Sequence, residues 1–336
     1  MRAVYFDKVG EPLSLITMDD PEPGPDEVVI KVARCGICGS DTHLTQVHGY
    51  YPEQSLLGHE FSGEVVAIGK GVDGFSMGDR ITAMPIAGCG KCKACVHGVP
   101  IFCEQGATSY TGGFADYMRV GVNTAVHLPQ TLSLEDGALT EPLAVGLHGV
   151  AMARIRPGQP VLVLGAGVIG LTAIYWARRL GAGKIVAMSR SRRREKMALN
   201  MGADIFIQSG ENEVGEVQEA LGGAPEIVFE GIGVEGALQQ CVNHVALDGK
   251  IVSLGFCTKP DGMVPSVCTY KQVNLMFSMA YTMREFEYAA HTMDKGAIDP
   301  GIMATRTISL EDVPSVIEQM QQGKLSEVKV LADPSL

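Results

Sequence analysis

The sequence predicts an α/β protein in which a doubly wound parallel sheet is joined to an irregular β-rich domain. Two observations lead to this prediction. From Pro160 onward, short apolar strand-like runs alternate with helical stretches, whereas the earlier part of the chain has short strand-like runs broken by glycine and proline. Strand–helix alternation at this spacing favours right-handed βαβ units. Frequent turns between short runs favour an irregular β-structure.

Domain boundaries are expected where this pattern changes. The β-rich pattern ends near Glu141, and a mixed tail follows the alternating strands and helices. We therefore expect one domain formed by residues 1–146 and 284–336. The second domain, with the doubly wound sheet, is expected to comprise residues 147–283.

Length and composition are those of a globular protein with a sizeable core. The chain has 336 residues, of which 46% are hydrophobic and 19% charged. Its formal charge of −11 argues against binding to nucleic acid or to an anionic membrane. No secretion signal is recognisable at its start, and the apolar run from Val161 to Ala177 contains three glycines and is short for a membrane span. We therefore expect a cytoplasmic protein.

A glycine-rich turn opens the doubly wound sheet. It follows an apolar strand that ends at Leu164, precedes a helix, and has the G-x-G-x-x-G pattern of dinucleotide-binding loops. The first glycine permits the tight turn, the second lets a pyrophosphate approach the backbone, and the third lets helix and strand pack closely. We predict a bound nicotinamide dinucleotide rather than a turn without a ligand. The predicted contacts are Gly165, Gly167, Val168, Ile169 and Gly170.

The end of the next predicted strand discriminates between NAD and NADP. An NAD site is expected to carry an acidic residue about twenty positions after the motif, where it binds the ribose 2′-hydroxyl. This chain has Ser189 there, and the next residues include Arg190, Arg192, Arg193 and Arg194. A hydroxyl beside guanidinium groups favours a 2′-phosphate, so we expect NADP, bound by Ser189, Arg190 and Arg194. The alternative is a solvated helix face, which applies most to Arg194.

Four cysteines within fifteen residues form the most specific local motif. Four thiolates this close can enclose one tetrahedral Zn²⁺ with no open position, so this site is predicted to be structural. In the alternative, a ferredoxin-type iron–sulfur cluster, the fourth cysteine follows after three residues and precedes proline. Here the gap is seven residues and Glu104 follows, and the acidic chain disfavours a zinc ribbon that binds nucleic acid. The predicted ligands are Cys89, Cys92, Cys95 and Cys103.

Further residues of metal-binding type are dispersed along the chain. Cys38 follows a predicted strand, the pair His59-Glu60 opens another segment, and Glu141 lies where the two domains are expected to meet. Spacing alone does not join these residues. Taken singly, His59 is more often a structural histidine, and Glu141 more often an acid in the first turn of a helix.

The order of these motifs resembles that of a known family, the zinc-dependent medium-chain dehydrogenases. Within it, the chain is most similar to the polyol, threonine and butanediol dehydrogenases, and the resemblance covers essentially the whole chain. It implies a Rossmann domain and a GroES-like catalytic domain that binds zinc. The matching motifs are Cys-Gly-Ile-Cys-Gly-Ser-Asp at 35–41, Gly-His-Glu at 58–60, the four cysteines, Gly-Gly-Phe-Ala-Asp-Tyr at 112–117, Glu-Pro-Leu-Ala-Val at 141–145 and the glycine motif.

The resemblance also implies a role for each dispersed residue. The implied ligands of a catalytic zinc are Cys38, His59 and Glu141. Glu60 resembles a neighbour that replaces water on the metal or binds in place of Glu141. Ser40 and His43 resemble a relay that carries the substrate proton to solvent. The implied reaction transfers a hydride between the cofactor and an alcohol or ketone that is polarised by zinc.

One segment departs from the polyol-binding members of this family. They commonly carry an Arg-Tyr pair after the last Rossmann strands, where this chain has Ala280-Tyr281. Three methionines lie nearby, at Met276, Met279 and Met283. The departure favours a less polar secondary alcohol, diol or ketone as the substrate. The alternative is that these methionines belong to the core.

Three functions follow from these patterns. The first is a zinc-dependent alcohol and ketone oxidoreductase that prefers NADP, and the second is an NAD-linked dehydrogenase of the sorbitol, threonine or butanediol type. The third is a cofactor-binding protein of the same fold without catalysis, which the complete set of candidate zinc ligands disfavours. The resemblance also implies a homodimer or homotetramer.

Overall fold

The chain folds into two compact units in a computed structural model that describes residues 1–336. The first unit comprises residues 1–141, 282–294 and 303–336, and the second comprises residues 142–281 and 295–302. The sequence predicts junctions after residues 146 and 283. In the structure the chain passes between the units a few residues earlier, and residues 295–302 lie with the second unit.

The first unit is rich in short strands, as the frequent glycine and proline turns predict. Its longest strands each have one face in the core, because apolar side chains alternate with more exposed ones along part of their length. The strands are β1 (Arg2–Phe6), β2 (Ser14–Thr17), β3 (Glu27–Gly36), β4 (Ser55–Leu56), β5 (Glu60–Ile68), β6 (Arg80–Ala83), β7 (Ile86–Ala87), β8 (Thr108–Ser109), β9 (Tyr117–Gly121) and β10 (Ala125–His127). The helices are α1 (Gly39–His43), α2 (Lys93–Val96), α3 (Leu134–Gly137) and α4 (Thr140–Ala153), the last of which continues into the second unit.

The second unit is the predicted doubly wound sheet. Its elements alternate: β11 (Val161–Leu164), α5 (Val168–Arg179), β12 (Ile185–Ser189), α6 (Glu195–Asn200), β13 (Ile205–Gln208), α7 (Glu213–Leu221), β14 (Ile227–Glu230), α8 (Ala237–His244), β15 (Lys250–Ser253), α9 (Pro265–Lys271) and β16 (Asn274–Phe277). All six strands are parallel, in the order β13-β12-β11-β14-β15-β16. The order reverses between β11 and β14, where dinucleotides bind in this fold. The predicted fold class is confirmed.

The end of the chain returns to the first unit and completes its main sheet. The elements are α10 (Met283–Thr292), β17 (Ala304–Ile308), α11 (Val313–Gln321) and β18 (Lys329–Ala332). The sheet has the order β10-β6-β5-β3-β18-β17, and β9 also pairs with β3. No helix in the chain combines the length and apolar character that crossing a membrane requires.

Strand pairing explains why distant motifs of the first unit meet. Antiparallel β3 and β5 pair Gly36 with Glu60, so the chain just after β3 lies beside the chain just before β5. Strand β18 pairs Leu331 with Gly36 from the other side of β3. Residues that follow Gly36, precede Glu60 or open β18 are therefore brought to one end of the sheet.

Candidate metal and cofactor sites

Three side chains of metal-binding type meet at this end of the first unit. The sulfur of Cys38, a ring nitrogen of His59 and a carboxylate oxygen of Glu60 all lie within 4.8 Å of one another. Thiolate, imidazole and carboxylate are the ligand types of zinc sites that keep a position open for substrate. The donor set therefore fits a divalent metal such as zinc. Glu141, in the first turn of α4 and 9% exposed, is not part of this group.

Asp41 connects two of these three residues, and the sequence analysis missed it. Its carboxylate accepts a hydrogen bond from the backbone N–H of Cys38 at 2.9 Å, and its other oxygen lies 3.4 Å from Nδ1 of His59. The side chain is fully buried. A carboxylate in this position orients the imidazole and makes it a better ligand. The sequence could have indicated this contact, because Asp41 is three residues after Cys38, as in a capping box at the start of a helix.

A buried ion pair holds Glu60. Nζ of Lys329 lies 2.7 and 2.5 Å from the two carboxylate oxygens and donates to the carbonyl of Ile37 at 2.9 Å. Burial lowers the pKa of Lys329, but attraction to Glu60 outweighs it, so the net pKa is raised and the ammonium is charged. The sequence analysis did not identify Lys329 either, because nothing in its local sequence distinguishes it from an ordinary strand residue.

Ser40 and His43, the predicted proton relay, both lie on α1. The hydroxyl of Ser40 is 3.5 Å from Nε2 of His59, and the side chain of His43 is exposed at the end of the helix. Because they are three residues apart, Ser40 and His43 lie on one face of the helix. Tyr51 is an unexpected third member, with its hydroxyl 3.4 Å from that of Ser40. Burial raises the pKa of Tyr51, so its hydroxyl keeps its proton.

The four-cysteine segment forms a separate cluster. Sulfur–sulfur distances are 3.9 Å for Cys89–Cys95, 3.5 Å for Cys92–Cys95 and 4.0 Å for Cys92–Cys103. Sulfurs around one tetrahedral zinc are expected to be about 3.8 Å apart, given the usual zinc–sulfur bond. Backbone N–H groups of Lys91 and Cys92 lower the pKa of Cys89 to about 6, which favours its thiolate. The segment therefore fits an enclosed zinc.

The glycine motif of the second unit has the geometry that a dinucleotide requires. Gly165 has a φ of +93°, in the left-handed region that favours glycine. A Cβ on Gly170 would lie 1.9 Å from the carbonyl oxygen of Gly165, so helix α5 can start this close to β11 only with glycine there. Val168 and Ile169 form the first turn of α5 and are partly exposed. Backbone N–H groups at such a helix start are available to phosphate oxygens.

The arginines after β12 differ in their surroundings. Ser189 is the last residue of β12, and the side chain of Arg190 is exposed. Arg192 is paired with Glu195 at 2.6 Å. Arg194 is partly buried and donates to the carbonyl of Ala166, inside the glycine motif, at 3.2 Å. Arg194 therefore contacts the glycine motif itself, through a bond that is compatible both with cofactor binding and with a purely structural role.

Glu230 is a further residue that the sequence analysis missed. It ends β14, next to the point where the strand order reverses, and is 2% exposed. Its carboxylate accepts hydrogen bonds from the backbone N–H groups of Ile232 and Gly233, at 2.6 and 2.7 Å, and from the hydroxyl of Ser253 at 3.0 Å. Glu230 therefore fixes the loop after β14.

Two family models match the chain. Residues 24–130 match the alcohol dehydrogenase GroES-like domain, and residues 168–295 match the zinc-binding dehydrogenase domain. The chain is 31% identical to (R,R)-butanediol dehydrogenase of Bacillus subtilis (strain 168), over 95% of each protein. The chain belongs to the zinc-dependent alcohol dehydrogenase family. It is also 29% identical to sorbitol dehydrogenase of the same organism, over 100% of this chain and 98% of that protein.

Solved structures of family members agree with this assignment. A structure from Sinorhizobium meliloti 1021 with NADP bound has a TM-score of 0.88 and 33% identity, and covers 99% of each chain. An alcohol dehydrogenase of Escherichia coli CFT073 complexed with NADH has a TM-score of 0.90 and 27% identity over the same share of each chain. The chain is accordingly an oxidoreductase that couples alcohol chemistry to a nicotinamide cofactor.

We expect Lys329→Met to destabilise the protein by about 3–5 kcal/mol, because it leaves the carboxylate of Glu60 buried without its cation. The measurement is the free energy of unfolding in urea. The double variant Lys329→Met/Glu60→Gln should recover most of the loss, since it removes the uncompensated charge. Lys324→Met is the control, because Lys324 is an exposed lysine of the same segment. Equal losses in the single and the double variant would contradict this account of the ion pair.

Proposed function

We propose that the chain interconverts secondary alcohols or diols with the corresponding ketones, that it prefers NADP(H), and that it binds two zinc ions. The observation that carries this proposal is the meeting of Cys38, His59 and Glu60 with the hydroxyl of Ser40 3.5 Å from the imidazole. An open metal site beside a proton-accepting hydroxyl is the arrangement that alcohol oxidation requires. A protein that only binds the cofactor has no use for it.

Different residues of the first unit would bind the metal and transfer the substrate proton at this site. Cys38, His59 and Glu60 would hold a zinc ion, which supplies Lewis acidity when bound. Glu60 is favoured over Glu141 as the carboxylate ligand, because only Glu60 lies within 4.8 Å of both other donors. Ser40 would take the proton of the substrate hydroxyl and pass it on. His43, exposed on the same helix, would exchange that proton with solvent.

The proposed substrate is less polar than a sugar alcohol. The relatives reported above are named for sorbitol and for butanediol. This chain has alanine at position 280, where, by the family resemblance, polyol-binding members commonly carry arginine. Core packing is not supported for the nearby methionines, since Met276 and Met283 are only partly buried and Met279 is 44% exposed. We therefore favour a secondary alcohol or a small diol, and a polyol is the alternative.

NADP is the proposed cofactor because Ser189 and Arg190 replace the acidic residue of an NAD site. Arg190 is exposed at the end of β12. Arg192 is already paired with Glu195, which leaves Arg190 the better candidate for a 2′-phosphate. The proposed homo-oligomeric state and cytoplasmic location stay predictions from the family resemblance and the composition.

His59→Ala should bind one zinc ion instead of two and lose about a thousandfold in kcat, because a metal contributes several kcal/mol to the transition state. Zinc is counted by mass spectrometry of the purified protein. Cys92→Ser is the reciprocal control, since it should also lose one zinc but should lower thermal stability rather than the chemistry. Retained turnover in His59→Ala would refute the site.

A second measurement compares the two candidate carboxylate ligands, Glu60 and Glu141. Glu60→Gln should weaken zinc binding at the catalytic site, as measured by competition with a chromophoric chelator. Glu141→Gln should change it less, because Glu141 lies outside the donor group. The reverse ranking would assign the ligand role to Glu141.

Arg190→Ala should raise the Kd for NADPH by about 10- to 100-fold, the usual value of a charge-assisted hydrogen bond, and leave the Kd for NADH unchanged. Both constants can be measured by fluorescence titration. Arg192→Ala is the matched control, because its guanidinium is paired with Glu195. Tighter binding of NADH than of NADPH by the unaltered protein would overturn the proposed preference and favour the NAD-linked alternative.

A further inference from the structure

Tyr51 is the least expected residue near the proposed catalytic site. It belongs to the segment between α1 and β4, where most side chains are exposed, including that of Tyr50, which is 47% exposed. Tyr51 instead packs against the apolar core of the first unit. Its hydroxyl is thereby held next to Ser40 rather than in solvent.

The contacts of this hydroxyl are long. It lies 3.4 Å from the hydroxyl of Ser40 and 3.5 Å from Nδ1 of His59. Hydrogen bonds between hydroxyl groups are normally 2.5–3.0 Å long. His59 already faces the carboxylate of Asp41 through the same nitrogen, at 3.4 Å. The Tyr51 hydroxyl is therefore close to the reaction centre and makes no short bond to either neighbour.

A partly buried hydroxyl whose hydrogen bonds are long can gain a shorter bond from a ligand oxygen. Ser40 and Tyr51 present two hydroxyls side by side, of which Ser40 is assigned to the reacting oxygen. In a vicinal diol or an α-hydroxyketone, the second oxygen is on the next carbon, and the two oxygens are therefore close together. The spacing of the hydroxyls matches a substrate of this kind better than one with a single oxygen.

We propose that Tyr51 is a specificity-determining residue whose hydroxyl binds the second oxygen of a vicinal diol or α-hydroxyketone. This inference rests on the proposed function, since it assumes that the first oxygen is bound beside Ser40. A site built to bind a second hydroxyl discriminates against substrates that lack it, because its own polar group is then left unpaired.

The test compares Tyr51→Phe with Tyr50→Phe, a neighbouring tyrosine whose ring is exposed. The probes are 2,3-butanediol and 2-butanol, which have the same carbon skeleton and differ in the second hydroxyl. Tyr51→Phe should lower kcat/KM for the diol about 3- to 10-fold, mainly through KM, as expected for one neutral hydrogen bond. The value for 2-butanol, the pH profile of kcat and the zinc content should stay unchanged. Tyr50→Phe should change none of these.

Other results would overturn the inference. An equal loss on both substrates, or a shifted pH profile, would show that Tyr51 acts through Ser40 or His59 as a positioning residue. No loss on either substrate would show that it has no role in binding. A thermal shift caused by 2,3-butanediol, measured without turnover, should be larger in the unaltered protein than in Tyr51→Phe.

The thermal shift also separates this inference from the proposed function. If the unaltered protein oxidises neither alcohol with either cofactor, the proposed function fails. A diol-specific shift that depends on Tyr51 would still support the binding role, whereas the same shift in both proteins would exclude it.

Discussion

The buried pair of Lys329 and Glu60 is the constraint on which the first unit depends. It joins residues 269 positions apart, and its ammonium also binds the carbonyl of Ile37, next to Cys38. Two charges removed from water are tolerated only when each is fully compensated, so the strands that carry them have to meet in one register. The position of the Glu60 carboxylate is thereby coupled to the pairing of β18 with β3.

The second unit is subject to a different constraint. Its backbone has to approach an anionic cofactor closely, in a chain whose net charge is −11. Parallel pairing of β11 with β14 places the glycine motif and the loop after β14 at the same edge of the sheet. The carboxylate of Glu230 holds that loop in place by accepting hydrogen bonds from two of its backbone N–H groups. Backbone N–H groups at the start of α5 are thus available to phosphates despite the unfavourable net charge.

Local sequence predicted those parts of the molecule in which neighbours in sequence are neighbours in space. Five of the six parallel strands, the glycine motif and the four cysteines are of this kind. The meeting of Cys38 with His59 was inferred only from the family resemblance, because it depends on the register of β3 with β5. Lys329 and Tyr51 could not be predicted, since a lysine in a strand and a tyrosine in a polar loop become significant only after distant segments have paired. The role of Asp41, in contrast, could have been predicted from its spacing to Cys38.

The position of β18 has a consequence for how the chain folds during synthesis. The second unit is nearly continuous in sequence, so almost all of it is available before the last forty residues leave the ribosome. The first unit lacks the last two strands of its main sheet until β17 and β18 have been made, and β18 pairs with β3 some three hundred residues after that strand. Contacts so distant in sequence form slowly. In nascent chains all six strands of the second unit are therefore present while the end of β3, at Cys35 and Gly36, still lacks its partner and needs protection from other strands.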